Sequence, residues 1–378
     1  MIPFKLHRLC TIMKPEKGNP LEVEGVLNPA VTRGPDGSLY IFPRLVARNN
    51  YSRIGIAKVL FDDDGDPIDV ERLGIVLEPE TEYEKRPNGG GGCEDPRITY
   101  VNCVEHYIMT YTAYGPNGPR IAMARSKDLF HWERLGLVSF SPYNEVDFNG
   151  IDNKDASFFP IDLPSPHNHR SIAMLHRPLF RDTIPEETIK RKEHRTINEH
   201  KESIWISYFN LTKGKETSLI NANFTSHHCL AHPMYPWENL KIGGGAPPIL
   251  TKHGWLMVYH GVQKHKDSTV EKPKYCYSAG VMVLSQKIPQ RIIYRSSEPV
   301  LFPDLIAEKI GTVGTVVFPT GTDRRDDIGQ PNRIDVYYGM ADKRIGVAKM
   351  EIPDRLPYQY RNRLKTTKKI FQLSSPRF

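Results

Sequence analysis

Along most of the chain apolar and polar residues alternate with a period of two, in short runs bounded by Gly, Pro, Asn or Asp. That spacing puts the apolar side chains on one face of an extended chain, so it predicts strands rather than helices. The clearest runs are LYIFPRLV, YIMTYTAY, IAMLHRP, WLMVYHGV and IDVYYGMAD. Each belongs to a larger unit that recurs five times: a small or acidic residue near a proline, an apolar strand, then a second alternating strand. Taking Pro29, Pro96, Pro160, Pro247 and Pro319 as equivalent gives spacings of 67, 64, 87 and 72 residues. A two-sheet sandwich would explain the strands but not this recurrence. One sheet per unit, repeated radially, predicts an all-β fold, a five-bladed β-propeller with a central pocket. The blades are expected near residues 20–80, 90–142, 150–240, 241–305 and 310–352 of a single domain spanning 1–378, with a C-terminal extension at 353–378.

The third unit carries a charged insertion, Phe180 to Glu202, whose residues favour helix and whose place between strands puts it beside the pocket mouth. Polar residues punctuate the inner strands at Arg44, Tyr111, His176, Arg177, His260 and Asp342. Buried charge is costly unless paired or functional, so these are expected to face one shared channel.

Composition narrows the function. The 31 Pro, 18 Tyr and 15 Phe disfavour a helical bundle. Lys and Arg total 51 against 44 Asp and Glu, a net charge of +7 spread thinly, and the densest basic run, KRKEHR, is flanked by acidic residues. No nucleic-acid partner is expected. Five cysteines without CxxC spacing suggest neither a disulfide framework nor a zinc site, and TSHHCLAH fits no standard zinc pattern. No metal or cofactor is therefore expected. The first twenty residues are broken by charge and proline, unlike a signal peptide, and no uncharged apolar run approaches the roughly 18–20 residues that span a bilayer. A soluble, cytoplasmic protein with no membrane partner is expected, with a homo-oligomer left open.

The strongest local signal is GGGGCEDPRI, where glycines allow close backbone approach and Glu94-Asp95 opens a strand. Adjacent carboxylates on an extended chain point to opposite sides, so one should face the pocket while the other pairs with Arg97 or Arg53. A second, scattered set is cationic: Lys154 of NKDA, Arg177 of HRP, Lys241 of KIGGG and His260 of YHG, each expected on a different blade. Singly these are ordinary ion pairs, but converging on one channel they suit phosphate or a carboxylate. Walker A, GxGxxG, GxSxG and HExxH patterns do not occur.

In order along the chain, GCEDPRI, KDASFFP with MLHRP, SIWISYF, WENLKIGGGAPPI, GWLMVYHGV and YYGMADKRIGVA resemble the hallmark segments of glycoside hydrolase family 130, the β-mannoside phosphorylases and related mannosidases. The resemblance runs from about Asn28 to Ala348 and implies a five-bladed propeller with a central active site. It implies Asp95 as proton donor, acting through a sugar hydroxyl, and Arg177, Lys241, His260 and Lys154 as the phosphate-binding set. Asn28, Arg44, Ser52, Arg53, Glu94, Arg97, Asp155 and Asp342 would contact the sugar. The implied reaction is inverting phosphorolysis of a β-mannoside to α-mannose 1-phosphate, with inorganic phosphate as co-substrate. The runner-up is hydrolysis by an inverting β-mannosidase, which needs a carboxylate base, with Asp155 or Glu202 nearest to hand. A non-catalytic carbohydrate-binding propeller is the third reading. The FF of KDASFFP, the insertion and the segment after SIWISYF depart from the family pattern and bear on aglycone specificity.

Overall fold

The N-terminal strand does not start the first repeat; it completes the last. The computed structural model describes residues 3–143, 147–179, 201–211, 219–266, 268–269 and 274–357, and they fold as strands β1 to β23 joined by turns. Strand β1 (Leu6–Met13) is followed by a first antiparallel group, β2 (Gly25–Arg33), β3 (Leu39–Ala47), β4 (Tyr51–Phe61) and β5 (Pro67–Leu77). The second group is β6 (Gly91–Val101), β7 (His106–Gly115), β8 (Gly118–Ser126) and β9 (Glu133–Leu137). A short parallel pairing of Tyr51 and Ser52 with Gly91 and Gly92 joins these two groups into one eight-stranded sheet.

The third group holds β10 (Ser139–Phe140), β11 (Asn153–Phe158), β12 (Leu163–Pro164), β13 (Arg170–Pro178), β14 (Ile204–Asn210) and β15 (Asn223–Ala231). The fourth holds β16 (Lys241–Gly244), β17 (Ile249–Thr251), β18 (Gly254–Lys264), β19 (Tyr275–Leu284) and β20 (Ile292–Arg295). The last, β21 (Val317–Arg324), β22 (Arg333–Met340) and β23 (Arg344–Glu351), takes β1 as its outer strand. That pairing ties the two ends of the described chain into one sheet. The only α-helix among the described residues is the single turn Ile306–Lys309, and no helix is long and apolar enough to cross a membrane.

Apolar packing runs between consecutive groups. Phe42 and Ile54 meet Ile98 and Met109, Ile108 and Ile121 meet Phe158 and Ile172, and Leu175 and Ile206 meet Trp255 and Met257. Leu256 and Val281 then meet Val317 and Val336, and Tyr337 and Val347 return to Ile41 and Leu45 of the first group. Every group is thus covered on both faces, which is why its strands read as near-continuous apolar runs.

Strands β2, β6 and β11, not the next strands β3, β7 and β13 that the alternation marks as the inner ones, break register at the same place: at Asn28, at Asp95 and at Asp155. All three residues have positive φ, of 45°, 48° and 56°. Asn and Asp are the non-glycine types that tolerate this conformation best, and a bulge there re-aims a side chain. The third repeat is therefore anchored on Asp155-Ala156, not on Pro160, which follows the end of β11. Of the insertion, residues 180–200 lie outside the described residues, as do 358–378 of the C-terminal extension.

Candidate active site

Asp95 is built by its bulge. Because φ there is positive, the usual alternation fails, and Glu94 and Asp95 both turn to the same guanidinium. Arg44 Nη2 donates to Glu94 Oε1 at 2.8 Å and Arg44 Nη1 to Asp95 Oδ1 at 3.3 Å. Its Nε donates to Ser52 Oγ at 2.9 Å, and Asn28 Nδ2 donates to Asp95 Oδ1 at 2.9 Å. The expectation that one carboxylate would pair with Arg97 or Arg53 is overturned: Arg97 lies toward Asp155, and Arg53 bonds Glu78. Burial alone would raise Asp95, but Arg44, Arg97, the Asn28 hydrogen bond and Lys154 outweigh it and hold its carboxyl below the usual range. Asp342, beside the same groups, goes the other way: burial, then Asp95 and Glu94, push it up to about 6 against the pull of Arg44 and Lys154.

The glycines before Asp95 have a steric reason. A Cβ on Gly92, at φ 107°, would collide with the Ser52 carbonyl oxygen across the parallel pairing.

The cations gather around a second pair of carboxylates. Arg177 Nε donates to Asp155 Oδ2 at 2.5 Å, and Arg177 Nη1 to Glu202. Lys241 Nζ is 3.7 Å from Glu202 Oε2, and His260 Nε2 is 3.7 Å from Asp155 Oδ2. A Cβ on Gly243 would strike both Asp155 and the His260 ring, so only glycine lets β16 come this close. Burial would raise Asp155, but Arg177, His260 and Arg97 hold it far below the usual carboxylate range. Burial, with Arg177, Lys241 and Arg97 adding to it against Asp155, lowers His260 to about 3, so the imidazole is neutral at ordinary pH. Both its ring nitrogens and Arg97 Nη2 are buried and make no hydrogen bond among the described residues. Buried polar atoms are costly to leave unsatisfied, and an oxyanion would accept from Arg97 Nη2 and from the one ring nitrogen of the neutral imidazole that carries hydrogen.

Arg97 connects the two clusters. Its Nη1 donates to the Asp95 carbonyl oxygen at 2.7 Å, its Nε to Gly245 O at 2.7 Å, and its Nη2 is 3.9 Å from Asp155 Oδ1.

The expected residues thus come together with differences of detail. Lys154 and Arg177 are cross-strand partners in one sheet, and Lys241 and His260 lie on paired strands of the next, so the cations come from two groups rather than four. Lys154 leans toward the acid, 3.8 Å from Glu94 Oε2 and 5.4 Å from the Tyr114 ring centre. Tyr111 and His176 do not face the centre. Tyr111 bonds Glu84 at 2.6 Å, and His176 Nε2 meets Ser207 Oγ, which meets His227 Nδ1, in a buried chain with 2.7 Å links. Three aromatic rings went unread in the sequence: Tyr114 under Lys154, Tyr277 under Lys241 at 5.6 Å, and Phe318 against His260 at 4.4 Å. Their only signal is that each flanks a residue of the cationic set in the fold, which spacing along the chain does not reveal.

A family model described as beta-1,4-mannooligosaccharide phosphorylase matches residues 10–357. The chain belongs to glycoside hydrolase family 130. It is 32% identical to a 1,2-beta-oligomannan phosphorylase of Thermoanaerobacter sp. (strain X514), over 93% of this chain and 99% of that protein. It is 30% identical to a beta-1,2-mannobiose phosphorylase of the same organism, over 92% and 98% of the two chains. Among solved structures it shares the fold of the Listeria innocua beta-1,2-mannobiose phosphorylase, determined with β-1,2-mannobiose, at TM-score 0.65 and 22% identity over 92% of this chain and 97% of that one.

Proposed function

We propose that this family 130 member is an inverting β-mannoside phosphorylase, a hexosyltransferase that transfers mannose from a β-mannoside to inorganic phosphate. The observation that carries the reading is the donor set around Asp155 and Glu202: Arg177, Lys241, neutral His260 and Arg97, whose Nη2 makes no hydrogen bond among the described residues and whose Nη1 bonds the Asp95 carbonyl oxygen. We read the five strand groups as blades around a central pocket, because their bulged inner strands and cyclic packing bring both clusters to one axis.

Phosphate held by these groups attacks the anomeric carbon from one face. The bond to the aglycone oxygen breaks on the other, and that oxygen takes a proton originating on Asp95, giving α-mannose 1-phosphate and the shortened alcohol. One protein acid suffices because phosphate replaces the base and water of an inverting hydrolase. Arriving phosphate also adds negative charge beside Arg97 and Arg177, which raises the proton affinity of Asp95 from its depressed value. Sugar contacts fall to Asn28, Arg44, Ser52, Glu94 and Asp342. Hydrolysis is disfavoured because both carboxylates that could serve as base, Asp155 and Glu202, are ion-paired to Arg177. No disulfide links the cysteines among the described residues, which suits a reducing cytoplasm.

The relatives' names divide between β-1,4 and β-1,2 linkages, so the test sets both side by side. Mannobioses of each linkage are incubated with and without phosphate, and mannose 1-phosphate is followed by phosphorus NMR. Phosphate-dependent appearance of the α-anomer is expected; equal turnover without phosphate overturns the reading.

A further inference from the structure

We infer that Asp155 and Glu202, the two buried carboxylates inside the cationic cluster, make it select an oxyanion that carries hydrogen. Phosphate and arsenate qualify; sulfate, of like size and shape, does not. This rests on the phosphorylase reading and extends it to how the site tells its co-substrate from other anions.

A site that only had to attract anions would leave these carboxylates out. Among the described residues the cluster holds three cations, Arg97, Arg177 and Lys241, against the two acids. Both acids are anchored. The Asp155 side chain is 2% exposed and the Glu202 side chain 3%, so neither can turn out to water. The Glu202 carbonyl oxygen accepts from Ile242 N at 3.0 Å, and just before it Lys201 Nζ donates to the Asn239 carbonyl oxygen at 3.0 Å. Asp155 sits on the β11 bulge at φ 56°, packed over Gly243.

The unused donors lie against the same acids. Arg97 Nη2 is 3.9 Å from Asp155 Oδ1 and His260 Nε2 is 3.7 Å from Asp155 Oδ2, and neither makes a hydrogen bond among the described residues. Lys241 Nζ is 3.7 Å from Glu202 Oε2, so an anion reaching Lys241 meets that carboxylate too. An anion oxygen placed on these donors therefore lies beside a carboxylate oxygen. Two bare anionic oxygens repel strongly where water is excluded, and such a pair is relieved by sharing a proton. Hydrogen on the ligand turns the repulsion into a short, charge-assisted O–H···O⁻ bond. Phosphate and arsenate carry hydrogen at neutral pH, and sulfate carries none. The neutral His260 imidazole works in the same direction, because one of its nitrogens donates and the other can only accept. A hydrogen-bearing oxygen can meet that acceptor, and sulfate cannot.

The test measures KM for phosphate and the competitive Ki of sulfate, at saturating mannoside and constant ionic strength, for the wild type, Glu202→Gln and Asp155→Asn. In the wild type the sulfate Ki should exceed the phosphate KM by about 10²-fold, the worth of one hydrogen bond to a charged group. Arsenate should replace phosphate within a few-fold. Each amide brings N–H groups of its own, so at least one variant should shrink the sulfate-to-phosphate ratio by about tenfold or more. Wild-type inhibition by sulfate near the phosphate KM, exclusion of arsenate along with sulfate, or a ratio unmoved in both variants overturns the proposal. Because it is a ratio, partial unfolding cannot imitate the result. Calorimetric binding of phosphate and sulfate separates the two levels of inference. If no β-mannoside is phosphorolysed, the phosphorylase reading fails, yet phosphate bound and sulfate refused, with sulfate admitted by either variant, still upholds the selection. Equal wild-type affinity for both anions, or affinity for neither, refutes it.

Discussion

The rim and the centre of this molecule use the same residue types to opposite ends. At the rim, Glu84, Glu238 and Glu308 are wholly buried, and each is fully occupied. Every one accepts two backbone N–H groups of the turn before it, a tyrosine hydroxyl from a neighbouring strand, and an arginine. The sets are Tyr111 with Arg134, Tyr259 with Arg295, and Tyr338 with Arg8. Glu22, with Glu16 N and Arg72, is a partial copy. At the centre Asp155 is divided among Arg177, His260 and Arg97, and donors remain unused. A buried ionic network that is complete holds a fold together; one short of acceptors is prepared for an anion. Charge and burial do not tell the two apart, but the count of unsatisfied donors does.

Breaking each kind of network should therefore give opposite phenotypes, and Asp95→Asn gives the largest effect. Asparagine tolerates the positive φ, so the thermal midpoint should hardly move while kcat falls by about 10²–10⁴-fold, the range for a lost general acid. A large fall in midpoint alongside would mark Asp95 as structural and erase the contrast. At the rim, Glu238→Ala leaves Arg295 buried without its carboxylate and should cost about 3–5 kcal/mol in denaturant unfolding. The kcat/KM per folded molecule should stay near that of the wild type.

A smaller pair of changes acts on the cations themselves. Lys241→Ala should raise KM for phosphate about tenfold or more and leave KM for the mannoside in place, since it removes one charge-assisted contact. Glu202→Gln should do the reverse, lowering KM for phosphate a few-fold, roughly the worth of removing a competing carboxylate from Arg177 and Lys241. If both variants move the mannoside KM instead, phosphate is not held here.

What the sequence revealed follows the range of each interaction. Period-two alternation and the five-fold recurrence are local, so the all-β character and the sheet sequence were legible. So were the central residues, because Asp95, Arg177, Lys241 and His260 each stand in a distinctive short motif. What failed depended on contacts between distant segments. Pairing of Leu6–Met13 with Arg344–Glu351 joins residues over 300 apart, so β1 was not assigned to the last sheet. Opposite facing of Glu94 and Asp95 was inferred from ideal strand geometry, and a bulge that only pairing with β7 defines reversed it. Tyr111 was read as central because a hydroxyl in an apolar strand looks exposed to a channel; its partner Glu84 belongs to a turn that carries no sign of it in the sequence.

The least change expected is at Asp342, and its value lies in its sign. Burial, Asp95 and Glu94 raise this carboxyl to about 6, above the ~3.9 of an unfolded aspartate. Below about pH 4 it is protonated in both states and imposes no penalty. As pH rises from about 4 to about 6 the unfolded aspartate ionises while Asp342, beside two other carboxylates, keeps its proton, so the native state loses stability relative to the unfolded chain, and the loss is complete above about 6. Asp342→Asn removes that repulsion, and Asn accepts the φ of 47° found there. The variant should melt roughly 2 °C or more above the wild type at pH 8, with the gain gone near pH 4. A gain equal at both pH values would trace to packing rather than charge. A loss at pH 8 would mean that Arg44 and Lys154 outweigh Asp95 and Glu94, and that the centre, like the rim, is electrostatically complete.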